Sequence, residues 1–306
     1  MRVTASPDRP ALLDFDFVDA APPWRSGCVW LAGARREAWL PAQPLRECEA
    51  GSGSRREAGG LAVLGLQQPL GPDEDPAAVT ESLYRALFAR VRPSAQPYLI
   101  RLWNFFGAIN AGAGDAERYR RFCVGRDAAA DAQFRDPPPA ATAIGAAEPG
   151  APLSVVALCS ERPAIALENP RQTPAWAYPR RYGPVSPGFS RGAVLHDGDA
   201  ALLLASGTAS IVGHASRHEG DVLAQLDESV LNLGVLLEEG ARRSGRTFAM
   251  GGLQALRVYL RDPAALPAVR QGLIRQGFDL ERVALLHGEV CRRELEIELE
   301  GVFAAE

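Results

Sequence analysis

The 306-residue chain contains no lysine, and all 33 of its basic residues are arginine. Schiff-base chemistry, a phosphate-loop lysine and a lysine general base are therefore excluded. Genomic base composition is a sufficient cause of such a bias. The chemical consequence stands regardless: apart from a protonated histidine, every cationic side chain in a site must be a guanidinium. No run of about 18 apolar residues occurs, which excludes a membrane-spanning helix. The opening MRVTASPDRPALLDFDF has no apolar stretch behind a basic start, which argues against a secretory leader. A net charge of -4 gives no general electrostatic case for nucleic acid or an anionic membrane surface. Neither GxGxxG nor GKS/GKT is present, so a nucleotide fold has no support.

Cysteine and histidine are scarce. Cys28, Cys48, Cys123, Cys159 and Cys291 are odd in number, widely spaced and without a CxxC pair. That pattern predicts buried thiols in a reducing, cytoplasmic setting rather than disulfides or a zinc knuckle. The histidines are His196, His214, His218 and His287. In GHASRHEGD, His214 and His218 would share a helix face suited to a metal, but Gly213 and Gly220 favour a loop, and no metal is expected. A Ser210, His214, Asp221 triad can be drawn, yet no GxSxG elbow supports it.

With 47% hydrophobic residues the chain has ample material for two domains. Gly, Pro and acidic punctuation near GAAEPGAPL divides it, giving expected domains of 1–148 and 149–306. Before the divide, GGLAVLGLQQPL and QPYLIRLWNFFGAI read as strands. DPAAVTESLYRALFARV and GDAERYRRFCVGRDAAADAQF read as helices, the second with Asp115 as its cap. After it come the strand LSVVALCS, a proline-rich passage, a hairpin (RGAVLHDGDAALLLASGTASI) and the helix DVLAQLDESVLNLGVLLEEGARRSG. A strand (LQALRVYLRD), a helix (PAVRQGLIRQG) and two closing strands (VALLHGEVC, LEIELEGVF) follow. The halves repeat weakly in element order, not in residues. The expected class is α+β, each half a mixed sheet with helices packed on one face.

In LEIELEGVF, Leu295, Ile297 and Leu299 share one face of a strand, and Glu296, Glu298 and Glu300 the other. Pattern alone favours a solvated row of glutamates. Given a cover over that face, a carboxyl with like-charged neighbours would have a raised pKa and could serve as a general acid. The proline-rich loop carries Arg171, Arg180, Arg181 and Arg191 among Gln172, Trp176, Tyr178, Tyr182 and Phe189. Guanidinium forks beside rings suit a small planar carboxylate.

The stretches YLIRLWNFFGAIN, ERYRRFCVGR, ENPRQTPAWAYPRRYGPVSPGFSR, SGTASIVGHASRHEGDVLAQLDE and EVCRRELEIELEG resemble the bacterial chorismatase family. The resemblance runs from about residue 98 to the C-terminus and is weak over residues 1–60. It implies two RidA/YjgF-like (chorismate-mutase-like) domains, the first degenerate and the second catalytic. It also implies cofactor-free cleavage of chorismate to pyruvate and a ring carboxylic acid.

By position in the motifs, the family's acid falls on Glu298 and Tyr178 would bind substrate, with Arg126, Arg171, Gln172 and Arg191 as further candidates. Cys291, seven residues before the acid, and Gly207 in SGTAS resemble the branch that forms 3-hydroxybenzoate, with or without 4-hydroxybenzoate. Open alternatives are hydrolysis to 3,4-dihydroxycyclohexa-1,5-diene carboxylate, imine deamination as in smaller RidA proteins, and a non-catalytic ligand-binding module. Two fused halves are compatible with a monomer, and no nucleic acid or membrane partner is expected.

Overall fold

The computed structural model describes residues 1–19, 25–50 and 53–306. The N-terminal strands are β1 (Arg2–Thr4), β2 (Leu13–Asp16), β3 (Val29–Gly33) and β4 (Arg36–Leu40). A first unit follows with β5 (Arg46–Ala50), β6 (Gly53–Ala58), β7 (Leu61–Gln68), α1 (Pro76–Val91), β8 (Tyr98–Gly107), α2 (Arg118–Ala129), α3 (Ala132–Arg135), β9 (Ala140–Ala146) and β10 (Leu153–Ser160). The second comprises β11 (Ile165–Leu167), β12 (Gly192–Asp197), β13 (Ala200–Ala205), β14 (Thr208–Ala209), β15 (Ile211–Val212), β16 (Ala215–Ser216), α4 (Val222–Ser244), β17 (Leu253–Leu260), α5 (Leu266–Arg275), β18 (Val283–His287) and β19 (Ile297–Ala304).

Local chemistry sets the helix ends. Asp75 caps α1 by accepting from the Ala77 amide, with Pro76 in the first turn. Asp221 caps α4 by accepting from Leu223 and Ala224, and Gly245 closes it at φ +70°, where a side chain would be strained. The apolar stripe of α4 buries Leu226, Leu233, Leu236 and Leu237, each contributing roughly 1.5–3 kcal/mol of burial. Asp115 is not a cap: α2 begins after Glu117, and the Asp115 carboxylate pairs with Arg180.

The two units share one topology. The first sheet runs β5-β6-β7-β10-β8-β9 and the second β11-β12-β13-β19-β17-β18, with β3 added at its edge. In each, three strands meander, a helix leads to the fourth, and a second helical crossover delivers a fifth parallel to it. The last strand then returns antiparallel into the middle of the sheet. This corrects the boundary at 148/149. LSVVALCS becomes β10, which bonds to β7 and β8 over its whole length, so the first unit reaches Ser160. The weak repeat in element order is a full repeat in strand order.

The two sheets face each other and the helices lie outside. One core, including Trp103, Phe105, Val156, Leu204, Tyr259 and Val302, fills the space between the sheets. A second packs α1 and α2 on the first sheet, and a third packs α4 and α5 on the second. The N-terminal sheet, ordered β1-β4-β2, inserts Phe15 and Trp39 against Trp103. Among the described residues no helix is long and apolar enough to cross a membrane.

Candidate active site

The cover required over the glutamate face is the first sheet. Glu298 and Glu300 are both buried between the sheets, whereas Glu296 is half-buried. The solvated row is thus not what forms. Two carboxyls two residues apart on one strand meet opposite environments. Arg101 and Arg257 pair with Glu300, the Tyr259 hydroxyl donates to it at 2.5 Å, and the Thr142 hydroxyl at 2.6 Å. Burial would raise this carboxyl, but Arg257 and Arg101 outweigh it and hold it below its ordinary value.

Glu298 has no such partner. Among the described residues its carboxyl makes no ion pair or hydrogen bond. Burial, with the Glu300 charge beside it, pushes it up to about 8 against the more distant Arg101, Arg191 and Arg261. One buried carboxyl is therefore ionised near neutrality while its neighbour keeps a proton, the separation that divides acid from anion in many active sites.

Gly207 makes the Glu298 position available. A Cβ there would stand 2.0 Å from Glu298 Oε1. The Gly207 amide donates to Thr142 Oγ1 at 2.9 Å, and Arg101 also donates to that hydroxyl. Thr142, on β9, thereby joins the first sheet to the glycine turn that borders the acid.

Arg191 enters β12 from the proline-rich loop and donates to the Tyr178 hydroxyl at 2.6 Å and to the Thr173 carbonyl at 3.0 Å. Its guanidinium lies over the Phe189 and Tyr178 rings, and its buried Nε has no partner. Behind it, Glu168 accepts from the Arg191 amide at 3.3 Å, and burial raises that carboxyl to about 7 against the Arg191 charge.

On the side of the first unit, Arg126 is buried in the last turn of α2, over the Phe122 ring and beside Tyr84 and Cys123. Neither Arg126 nor Arg191 forms an ion pair among the described residues. Arg126, Cys123, Phe134, Trp176, Val185 and Ser186 line a cavity of about 280 Å³ between α2 and the proline-rich loop. Tyr119 links the two sides, its hydroxyl raised by burial and sensitive to the charges of Cys123, Cys291, Arg126 and Glu298.

Cys291 sits on the loop before β19, packed against Ala209, Ile211, Val290 and Leu295 on one side and the first unit on the other. Burial, then the Glu298 charge, pushes its thiol well up, so it is a neutral thiol. Arg261 staples this loop, donating to the carbonyls of Val290, Arg292 and Leu295.

Glu298 therefore lies against Gly207 and within electrostatic reach of Cys291 and Arg191, Arg191 bonds to Tyr178, and Arg126 lines the neighbouring cavity. Arg171 and Gln172 do not join them. Arg171 pairs with Glu228 and donates to Asn232 on α4, and Gln172 donates to the Ile211 carbonyl, so both tie the loop to the second unit. His214 Nδ1 meets Arg181 and Tyr182, whereas His218 Nε2 meets Glu228. Ser210 donates to the Arg217 carbonyl and Asp221 caps α4, so no triad assembles. Sequence patterns did not single out Arg101, Thr142, Arg257, Tyr259 or Arg292. The last stacks on Tyr182 at 4.1 Å and Tyr178 at 5.1 Å, closing the loop over the site. Its position beside Cys291 was the available signal.

Fold and site together define a duplicated α+β protein with one buried, proton-bearing carboxyl between its two sheets. Residues 37–159 match the family model described as Chorismatase FkbO/Hyg5-like, N-terminal. The chain is 38% identical over 235 residues to a 3-hydroxybenzoate synthase of Streptomyces hygroscopicus, covering 73% of this chain and 68% of that protein. It is also 38% identical over 237 residues to a chorismatase of Streptomyces rapamycinicus, covering 74% and 70%. A chorismatase crystal structure matches with a TM-score of 0.80 at 26% identity, over 99% of this chain and 97% of that one. The chain belongs to the chorismatase family.

Proposed function

We propose that this enzyme cleaves chorismate to pyruvate and 3-hydroxybenzoate, with Glu298 as the general acid. The observation that carries the reading is a buried glutamate kept protonated beside an ionised twin, within reach of Arg191, which has no carboxylate partner among the described residues. Chorismate matches this inventory: a ring carboxylate and an enolpyruvyl carboxylate for Arg126 and Arg191, and an enol ether for the acid. An unpaired buried cation is unfavourable alone, and a substrate carboxylate relieves it.

The proton moves from Glu298 to the terminal methylene of the enol ether, giving an oxocarbenium ion. The ring–oxygen bond then breaks and pyruvate leaves, while the neighbouring ring hydroxyl bonds to the vacated carbon and gives up its proton, forming a bridged oxide. The original bond of that oxygen to the ring opens, the hydrogen on the newly oxygenated carbon leaves as a proton, and the ring becomes aromatic; of the two protons released, one goes to the phenolic oxygen and one restores Glu298. The products together contain the atoms of chorismate, so no oxidant or reductant enters. A neutral Cys291 thiol suits steering of the ring intermediate by contact better than attack on it, since attack requires the thiolate. Tyr178 orients Arg191 toward the substrate, while Arg171 and Gln172 serve the loop. The reading carries with it a cytoplasmic enzyme acting on a small molecule, in keeping with five free cysteines.

Incubation of the protein with chorismate, followed by chromatographic separation of the acids, tests it. Equimolar pyruvate and 3-hydroxybenzoate are expected. The dihydro-diol would assign the hydrolytic branch, and binding without turnover would assign a ligand-binding module.

A further inference from the structure

The N-terminal segment reaches the acid through a run of buried charges. Glu37, on β4, grips Arg257 in bidentate fashion, with Nε donating at 2.7 Å and Nη2 at 2.9 Å. Trp39 Nε1 donates to the same carboxylate at 2.8 Å, and Glu37 is 5% exposed. Arg257, its guanidinium 3.9 Å from the Phe15 ring centroid, donates from Nη1 to Glu300 at 3.0 Å. Glu300 stands two residues beyond Glu298 on the same face of β19.

We propose that Glu37 is a positioning residue for the catalytic acid: by fixing Arg257 on Glu300 and balancing its charge, it keeps a surplus cation away from Glu298. The inference rests on the chorismatase reading of the site.

The groups facing Glu298 bear this out element by element. Glu300 lies on its own strand; Tyr259 stands opposite on β17, with Arg257 two residues before it and Arg261 just past the end of the strand. Arg101 comes from β8, Arg191 precedes β12, Cys291 lies on the preceding loop, and Tyr119 comes from α2. In the inner cluster two guanidiniums, Arg101 and Arg257, meet two carboxylates, Glu300 and Glu37. That balance leaves Glu298 to be neutral. Without the Glu37 charge, Arg257 becomes a surplus cation within one strand position of the acid, and an ionised Glu298 gains stability. An ionised Glu298 has no proton to give.

The sign of the effect follows. At saturating chorismate, where binding through Arg191 drops out, the alkaline fall of kcat should move about one pH unit lower in Glu37→Gln than in the wild type. An alkaline limb at the wild-type pH in a folded Glu37→Gln overturns the proposal. If Glu37→Gln does not fold, Glu37→Asp carries the test. It draws the charge back from Arg257 and breaks the bidentate contact, so Arg257 is only partly balanced and a smaller shift in the same direction is expected; a limb at the wild-type pH overturns the proposal there too. Failure of the wild-type chain to turn over chorismate would instead remove the parent reading, so the two failures are distinct.

Discussion

Gly207 and Glu298 compete for one volume: the Cβ that Gly207 lacks would lie 2.0 Å from the acid's Oε1. The atom in conflict is the tip of a flexible side chain, so Gly207→Ala should fold. The carboxyl must rotate, however, and displacement of a reacting group by about 1 Å costs on the order of 10²-fold in rate. The expected outcome is a melting temperature near wild type, a large loss of kcat and an altered ratio of aromatic to dihydro-diol product. Unchanged kcat and product ratio would show that the acid does not act from this position.

Glu298→Gln preserves shape and removes the proton. Pyruvate release should fall about 10³-fold, the scale of a lost general acid, with circular dichroism unchanged. Full activity would exclude Glu298.

The proton on Glu298 also gives a stability signature. Its carboxyl is raised to about 8 when folded from an ordinary value near 4.5 when unfolded. The folded state therefore holds one more proton between those values. That contribution is fully present below pH 4.5 and is lost as pH rises through 8. Wild type should lose stability relative to Glu298→Gln between pH 5 and 9, measured by denaturant melts at each pH. Parallel curves would show that Glu298 titrates normally.

Arg126 and Arg191 are buried and, among the described residues, have no carboxylate partner. Changing either to Gln should raise KM for chorismate about 10- to 100-fold, the loss of one charged hydrogen-bonding pair. The same changes should leave the ligand-free protein as stable as before or more so, because an unpaired buried charge is gone. A lower melting temperature with unchanged KM would make these arginines structural.

Cys291→Ala should leave pyruvate release largely intact and divert product from 3-hydroxybenzoate toward the dihydro-diol, read by chromatography. An unchanged ratio would remove the thiol from the mechanism.

Much of the candidate site was readable because it lies in continuous motifs. The period-2 alternation through Glu298 needs only a strand, and β19 is one. What period 2 could not show is that Glu298 and Glu300 differ, because Arg101 comes from a strand 199 residues away and Glu37 is 220 residues from Arg257. The fold class was likewise legible from the order of strands and helices. The boundary was not: LSVVALCS carries no local mark of the sheet it will enter, and its insertion between β7 and β8 is a long-range pairing. The Arg171 ion pair with Glu228 was hidden for a related reason. A loop dense in arginine does not reveal which guanidinium is already paired, and Glu228 lies on α4, far along the chain.

The repeated strand order has one further consequence. Ser154 is the second residue of the eight-residue β10, as Glu298 is of the eight-residue β19. The chain carries two copies of the architecture and a carboxyl in only one. In the first copy Ser154 accepts from the Gln67 side-chain amide at 3.0 Å and has no carboxyl to offer. The repeated architecture therefore supplies no acid at this strand position by itself; a carboxyl stands there only where the second copy carries glutamate.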